Sequence, residues 1–204
     1  MWLQSVKDNL LHLSENKTDV MIALTEWFYT GLTFDLDAPV EDCQLCGHKG
    51  IRYQFEILNS KNDNSLLIGS ECITKFSIPA VDKDGNILSK KLTKKKVSAD
   101  RQKLIVNASK KRMIESLILL GQKDQTIEVD KFIKYFDDRA AFTPKQVALL
   151  IWRLKANKIT YHAKDFKVTF RRQRERDQIE TLNKAQMQNL LECMTISQKK
   201  NLLK

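Results

Sequence analysis

Apolar residues recur every three or four positions near the start of the chain, a spacing typical of amphipathic helices. The series runs over residues 3–13 and resumes over residues 20–28, with a polar turn at residues 14–17 between them. Gly31 follows, and glycine is the residue that most often ends a helix. The pattern therefore predicts a helical hairpin within residues 1–39.

Apolar and polar residues then alternate, which is the pattern of a half-buried strand. The alternation covers residues 51–57, and after a polar turn at residues 59–64 a short apolar run returns over residues 66–68. These features predict a β-hairpin. Ser70 is a favourable N-cap for a short helix that reaches Phe76.

The remaining chain is predicted to be mainly helical after a basic stretch that lacks apolar periodicity. Residues 79–99 contain a turn-forming Asp-Gly-Asn sequence and a run of lysines, which is typical of a linker or mobile loop. Helical spacing covers residues 100–120, where Gly121 is the predicted end, and also residues 129–136, 143–156 and 175–194. Residues 159–161 and 166–170 are predicted to be short strands.

These patterns predict an α+β protein that is mainly helical and contains one small β-hairpin module. Four parts are expected: an N-terminal helical hairpin at residues 1–39, the hairpin module at 40–78, a basic linker or loop at 79–99, and a helical domain at 100–204.

Residues 143–170 have two interpretations. A Thr-capped helix followed by two short strands is how a winged helix-turn-helix ends, and the polar residues Lys145, Gln146, Arg153 and Lys155 would then face DNA. Packing in a core is the alternative, because apolar residues already occupy one face of this helix.

Two T-x-x-Q sequences, which begin at Thr143 and Thr195, match the capping box of a helix N-terminus. Paired apolar residues follow each of them, at 150–151 and 202–203. This similarity has two interpretations. The chain contains a repeated helical unit, or the two sequences are alike only because few residue types cap helices.

Composition indicates a folded chain that does not enter a membrane. Among 204 residues, 42% are hydrophobic, which is enough for one medium domain or two small ones. No apolar run approaches the roughly 20 residues that span a bilayer, and the first residues do not resemble a signal peptide. We therefore expect a cytoplasmic protein with no membrane partner.

Charge is distributed unevenly along the chain. The net charge is +10, yet residues 1–42 are acidic, so the excess of lysine and arginine lies in residues 43–204. A basic surface attracts polyanions by counterion release, and nucleic acid is the commonest polyanion. Solubility alone is the competing interpretation.

A metal motif begins where the basic part begins. Cys43 and Cys46 have C-x2-C spacing, Gly47 and His48 follow, and Cys72 lies near the predicted start of a helix. Thiolate and imidazole are the ligands that structural zinc prefers, and four of them close its tetrahedron. Cys43, Cys46, His48 and Cys72 are therefore the predicted ligands of one structural Zn2+, which would stabilise the hairpin.

His48 is the ligand that the spacing supports least, because only one residue separates it from Cys46 and the geometry is tight. His12, His162 and Cys193 are the other soft or imidazole donors. A redox dithiol and an iron–sulfur site are the competing interpretations of the cysteines.

A C-x2-C turn, a hairpin and a ligand at a helix start, in that order, resemble the treble-clef class of zinc modules over residues 41–77. With the downstream T-P-K-Q helix, the motif is also similar to zinc-containing proteins of bacterial phages and mobile elements. This resemblance implies a bacterial cytoplasmic setting and no defined activity.

Two basic segments are candidate phosphate contacts, and an ordinary solvated face is their alternative interpretation. Their predicted nucleic-acid-binding residues are Lys90, Lys91, Lys94, Lys95, Lys96, Arg101, Lys103, Lys110, Lys111, Arg112, Arg171, Arg172 and Arg174.

The sequence contains no dinucleotide, P-loop, zinc-protease or nucleophile-elbow motif. Asp137, Asp138 and Asp165 are magnesium ligands only in principle, since acids near helix ends usually act as caps or in turns. We therefore expect a non-enzymatic, nucleic-acid-binding accessory protein with no small-molecule substrate. A protein-binding inhibitor or adaptor is the alternative, because the acidic start and basic body suit docking on a charged partner.

Overall fold

The computed structural model describes residues 2–202, apart from the side chain of residue 2. The chain divides into two compact units, Met1–Ala108 and Ser109–Lys204. It is mixed α+β and largely helical, with a three-stranded antiparallel sheet in the first unit whose strands lie side by side in chain order. No helix in the described part of the chain is long and apolar enough to cross a membrane.

The first unit packs helices and a sheet around one core. Its elements are α1 (Trp2–Leu10), a 3-10 turn (Leu11–Leu13), α2 (Val20–Leu24), β1 (Trp27–Asp35), β2 (Tyr53–Asn59), β3 (Ser65–Ile68), α3 (Ser70–Lys75) and the first part of α4 (Lys90–Lys123).

The predicted N-terminal helical hairpin is wrong in its second half. Helix α2 ends at Leu24 and β1 begins at Trp27. Within β1, Trp27 and Tyr29 are fully buried, whereas Phe28 and Thr30 are only half-buried. Aromatic residues with this alternation favour a strand. Gly31 has a φ of +95° and lies where the β1–β2 register shifts, so it forms a bulge and does not end a helix.

The predicted β-hairpin is confirmed. Strands β2 and β3 pair antiparallel, with Phe55 opposite Ile68, and both side chains are buried in the core of the first unit. The helix cap differs by one residue, because Gly69 is the N-cap of α3 and Ser70 is already helical.

The predicted loop at residues 79–99 is wrong from Lys90 onward, because α4 begins there. Thr93 and Val97 are buried one turn apart, whereas the lysines between and around them are mostly exposed. Two buried anchors give too little periodicity for sequence analysis to detect, yet they place this helix on the core of the first unit.

Helix α4 also continues through Gly121 to Lys123, so the predicted helix end there is wrong. A Cβ atom at Gly121 would lie 2.7 Å from a methyl carbon of Val129. The glycine therefore permits a close approach within the second unit and does not act as a C-cap.

The second unit is helical around an aromatic and aliphatic core. It contains the rest of α4, α5 (Val129–Arg139), α6 (Pro144–Ala156), a 3-10 turn (Ala163–Asp165), α7 (Gln173–Glu180), α8 (Lys184–Cys193) and α9 (Ile196–Leu202).

The two strands predicted at residues 159–161 and 166–170 do not form in the described chain. Phe166 and Val168 are buried in the core, and one isolated parallel bridge joins Val168 to Phe142. The winged-helix interpretation of residues 143–170 therefore lacks its wing, and core packing of α6 is what the structure shows.

The long helix predicted over residues 175–194 is interrupted. Helix α7 ends at Glu180, and Asn183 caps α8, accepting a hydrogen bond from the backbone N–H of Gln186. Asparagine is among the most favourable N-cap residues, so a new helix begins after Asn183 and the predicted helix is broken there.

Both predicted capping boxes are confirmed. Gln146 donates its backbone N–H to the Thr143 hydroxyl at 3.4 Å, and Gln198 does the same to Thr195 at 3.2 Å. Asn183 forms a third box of the same kind. Duplication of a helical unit stays a prediction, and residue 203 of its second apolar pair lies outside the described residues.

Glu26 is a buried carboxylate that joins three segments of the first unit. It accepts hydrogen bonds from the backbone N–H groups of Glu15 at 2.7 Å and Asn16 at 2.8 Å, and from the side-chain amide of Asn59 at 2.9 Å. Burial raises the pKa of Glu26, but these hydrogen bonds outweigh burial and leave the pKa below its ordinary 4.5.

We expect Glu26→Gln to reduce the acid sensitivity of the first unit. Because folding lowers the pKa of Glu26, its contribution to stability is complete above the ordinary pKa and is lost as pH falls through the folded-state value. Urea denaturation at about pH 7 and about pH 3.5 should show a larger loss of unfolding free energy in the wild type than in the variant. The exposed Glu41→Gln variant should behave like the wild type, and equal losses in all three proteins would contradict the expectation.

Candidate metal centre

Three cysteine side chains converge in the first unit. Cys43 and Cys46 lie between β1 and β2, and Cys72 lies in the first turn of α3. The Sγ atom of Cys72 is 3.7 Å from that of Cys43 and 3.3 Å from that of Cys46, and all three sulfur atoms lie within 4.8 Å of one another.

Backbone hydrogen bonds fold the Cys43–Cys46 segment into a tight turn. The N–H of Gly47 donates to the carbonyl of Cys43 at 2.8 Å, and the N–H of Cys43 donates to the carbonyl of His48 at 2.9 Å. Gly47 has a φ of +70°, a conformation that favours glycine. The turn therefore presents two thiols on one side.

Gln44 attaches this turn to the hairpin. Its backbone N–H donates to the carbonyl of Leu67 at 3.1 Å, and its side-chain oxygen accepts from the N–H of Leu67 at 2.6 Å. Leu67 belongs to β3, which leads directly into α3. The pairing brings the first two cysteines beside Cys72.

The environment of Cys43 favours its thiolate. A hydrogen bond from the Cys72 thiol lowers the pKa of Cys43 most, burial opposes this effect, and backbone N–H groups including that of Gly69, 3.4 Å from the sulfur, lower the pKa further. The hydrogen bond that Cys72 donates to Cys43 raises the pKa of Cys72 most, and burial raises it further.

The three sulfur atoms fit a metal ion that prefers thiolate. With zinc–sulfur bonds of about 2.3 Å, tetrahedral geometry places sulfur atoms about 3.8 Å apart. Two of the separations observed, 3.7 and 3.3 Å, are near this value. The group could therefore hold a metal ion, and it is the candidate metal-binding group found among the described residues.

His48 is exposed and borders the same cavity as the cysteines, but its ring nitrogens are outside the group of donors within 4.8 Å. Its role as the fourth ligand stays a prediction. Glu71, which sequence analysis did not consider, also lines this cavity. Its position directly before Cys72 was the available signal.

The other candidate ligands are placed elsewhere. His12 contacts the carbonyl of Asp8 at 2.8 Å, while His162 and Cys193 belong to the second unit. Burial raises the pKa of Cys193 to about 12, so this thiol is neutral and behaves as a small apolar residue of the core.

Most of the predicted nucleic-acid-binding residues lie on α4. The exposed ones are Lys90, Lys91, Lys94, Lys95, Arg101, Lys103 and Lys111. Lys96 pairs with Asp100 at 3.3 Å and lies above the Tyr29 ring, so it fastens α4 to β1.

Two further cations of α4 are paired with carboxylates of the second unit. Lys110 lies 2.6 Å from Asp137, and Arg112 forms two 2.8 Å bonds to Asp165. Asp165 is 5% exposed and also accepts from Ser109. Asp137 and Asp165, the carboxylates considered as magnesium ligands, are therefore engaged in ion pairs within the second unit.

The remaining predicted contacts flank the start of α7, where Arg171, Arg172 and Arg174 are exposed. Two residues that sequence analysis treated apart are near each other in the first unit, since Arg101 of α4 lines the cavity that contains Cys72. Because Cys72 and Arg101 are far apart along the chain, the sequence contained no signal that they line the same cavity.

In comparisons with known proteins, the chain matches no protein-family model, no curated protein and no solved structure.

We expect the purified chain to carry a single metal ion that depends on the three cysteines. Cys43→Ser, Cys46→Ser and Cys72→Ser should each remove most of the metal measured by inductively coupled plasma mass spectrometry, because each removes one thiolate. Cys193→Ser, in the second unit, is the control that should retain it. Equal metal content in Cys72→Ser and Cys193→Ser would contradict the assignment.

Proposed function

We propose that the chain is a non-enzymatic, zinc-stabilised protein that binds nucleic acid through the exposed side of α4. The observation that carries the proposal is a surface of Lys90, Lys91, Lys94 and Lys95, here called the α4 lysine surface. All four side chains are exposed, and none has an ion-pair partner within residues 2–202.

Their spacing supports binding of a continuous polyanion. Residues four apart lie on the same side of a helix, so Lys90 stands beside Lys94 and Lys91 beside Lys95. Between Lys90 and Ala108 the helix holds seven cations and one carboxylate. Such a surface binds phosphates by releasing their condensed counterions, and it does so independently of base sequence.

Zinc is the metal that suits the three thiols best. Soft thiolate ligands select zinc over magnesium or calcium, and a treble-clef-like arrangement has the order of elements present here. Cys43, Cys46 and Cys72 would hold the ion, with His48 or Glu71 as the fourth ligand. Bound zinc would supply folding free energy to a hairpin of only two short strands and would leave no open position for catalysis.

Arg101 links the two parts of the proposal within the first unit. It is exposed, and it lines the cysteine cavity together with Lys75, whereas Arg52 of the same cavity is held in an ion pair with Asp35. Phosphates bound along α4 would therefore meet further cations at the metal module. A bacterial, phage or mobile-element setting remains part of the proposal through the motif resemblance.

The test is a salt-dependent titration of labelled single- and double-stranded DNA and RNA by fluorescence anisotropy. We expect binding to weaken steeply between about 50 and about 200 mM salt. The variant Lys90→Ala/Lys91→Ala/Lys94→Ala/Lys95→Ala keeps helix-forming residues and should bind at least about tenfold more weakly for every sequence, with a shallower salt dependence.

A charge-matched control removes four exposed lysines outside α4: Lys7, Lys61, Lys134 and Lys184. This control should retain most of the affinity. Absence of binding at low salt, or the same loss in both quadruple variants, would refute the α4 lysine surface as the nucleic-acid site.

One observation favours a protein-binding adaptor as the second candidate function. On α6, Trp152 is 52% exposed and the neighbouring Leu149 is 38% exposed. Exposed tryptophan is enriched at the energetic centres of protein interfaces. A chain that binds no nucleic acid at low salt would support this candidate.

A further inference from the structure

A basic groove of about 720 Å³ lies within the second unit, away from the residues of the proposed metal centre in sequence. Four cationic side chains line it: Arg139, Lys164, Lys167 and Arg171. We call it the 139–171 groove. Among its described lining residues there is no carboxylate.

Three segments of the second unit build this groove, and hydrogen bonds join them. The end of α5 is connected to the 167–169 segment through Phe142, whose N–H donates to the carbonyl of Lys167 at 2.8 Å. The carbonyl of Phe142 accepts from the N–H of Thr169 at 2.9 Å. These two backbone hydrogen bonds hold the chain that follows Arg139 beside the segment that contains Lys167.

The third segment is the start of α9. Gln198 donates its side-chain amide to the carbonyl of Val168 at 2.8 Å, and Lys164 donates its ammonium to the carbonyl of Met194 at 2.6 Å. The walls are therefore fixed by the fold of the second unit, and Lys164, which lines the groove, is held by the Met194 carbonyl.

Within residues 2–202, no ion pair balances the charge of three of the four cations of the groove. Arg139, Lys167 and Arg171 have no ion-pair partner for their side chains in the described chain, unlike Lys110, Arg153 and Lys155 of the same unit. Like charges around a concave surface raise the local concentration of anions. Arginine and lysine are also the side chains that bind phosphate oxygens most strongly.

The floor of the groove is apolar. Val168 is 6% exposed, Cys193 is 4% exposed, and Phe170 is half-buried beside them. Binding pockets of about 300–1,000 Å³ that combine an apolar lining with a few polar groups suit small organic ligands. A bare ion would leave this floor unused, whereas a nucleoside attached to phosphate would cover it.

We propose that the 139–171 groove binds the phosphoryl group of a nucleotide, either as a free nucleoside phosphate or as the phosphorylated end of a nucleic-acid strand. Lys167 and Arg171 contact the phosphoryl oxygens, and Val168 and Phe170 contact the attached nucleoside. The site is separate in sequence from the α4 lysine surface and does not depend on nucleic-acid binding there.

Isothermal titration of the full chain tests the site, with inorganic pyrophosphate as the first probe. Lys167→Ala/Arg171→Ala should weaken pyrophosphate binding at least about tenfold, because each substitution removes a side chain that donates a charge-assisted hydrogen bond to the probe. Lys134→Ala/Lys184→Ala removes two exposed lysines of the same unit outside the groove and should bind like the wild type. Circular dichroism melting establishes that both double variants are folded.

The source of the phosphoryl group is distinguished by two further probes. A nucleoside monophosphate is compared with a pair of oligonucleotides that differ only in a 5′-phosphate or a 5′-hydroxyl group. A preference for the 5′-phosphate that is lost in Lys167→Ala/Arg171→Ala identifies a strand end, and tighter mononucleotide binding identifies a free nucleotide.

The quadruple α4 lysine variant separates this site from the proposed function, since it should keep full pyrophosphate affinity. The proposal is overturned if the wild type shows no saturable pyrophosphate binding at low salt. It is equally overturned if the two double variants lose the same affinity.

Discussion

The convergence of three thiols is the constraint on which the first unit depends. Cys43, Cys46 and Cys72 come from two segments that are distant in sequence, and neighbouring thiols cannot all ionise without a compensating cation. The opposite pKa changes of Cys43 and Cys72 express this conflict. A divalent metal ion would relieve it by offsetting most of the charge of three thiolates, and metal binding would then be coupled to folding of the hairpin.

The cations of α4 in the first unit have two roles, since one packs against β1 and the others remain exposed to solvent. Lys96 contacts Asp100 and the Tyr29 ring, which fastens the helix to β1, whereas the α4 lysine surface remains exposed. Charged side chains that pack in this way contribute to structure and are poor candidates for binding. The exposed lysines have no such role, and under the proposed function a polyanionic partner would account for their concentration on one helix.

The second unit repeats this division. Arg112 binds the buried Asp165, and Arg153 binds Asp124, so both arginines stabilise turns next to the helical core. The 139–171 groove contains further cations, of which Arg139, Lys167 and Arg171 have no ion-pair partner within residues 2–202. Along the sequence Arg171 belongs with its neighbours Arg172 and Arg174, but in the fold it lines a groove with residues from α5 and from the start of α9.

The sequence by itself determined the features that depend on neighbouring residues: the β-hairpin, both threonine capping boxes and the Cys43–Cys46 turn. Local backbone hydrogen bonding dictates such features, so their residue types are diagnostic. Tertiary structure decided the rest. Strand β1 replaced a predicted helix because Trp27 and Tyr29 find a core only when β2 pairs beside them, and α4 began early because Thr93 and Val97 bury against that core. The partner that stabilises each of these segments lies far away along the chain, where no local pattern records it.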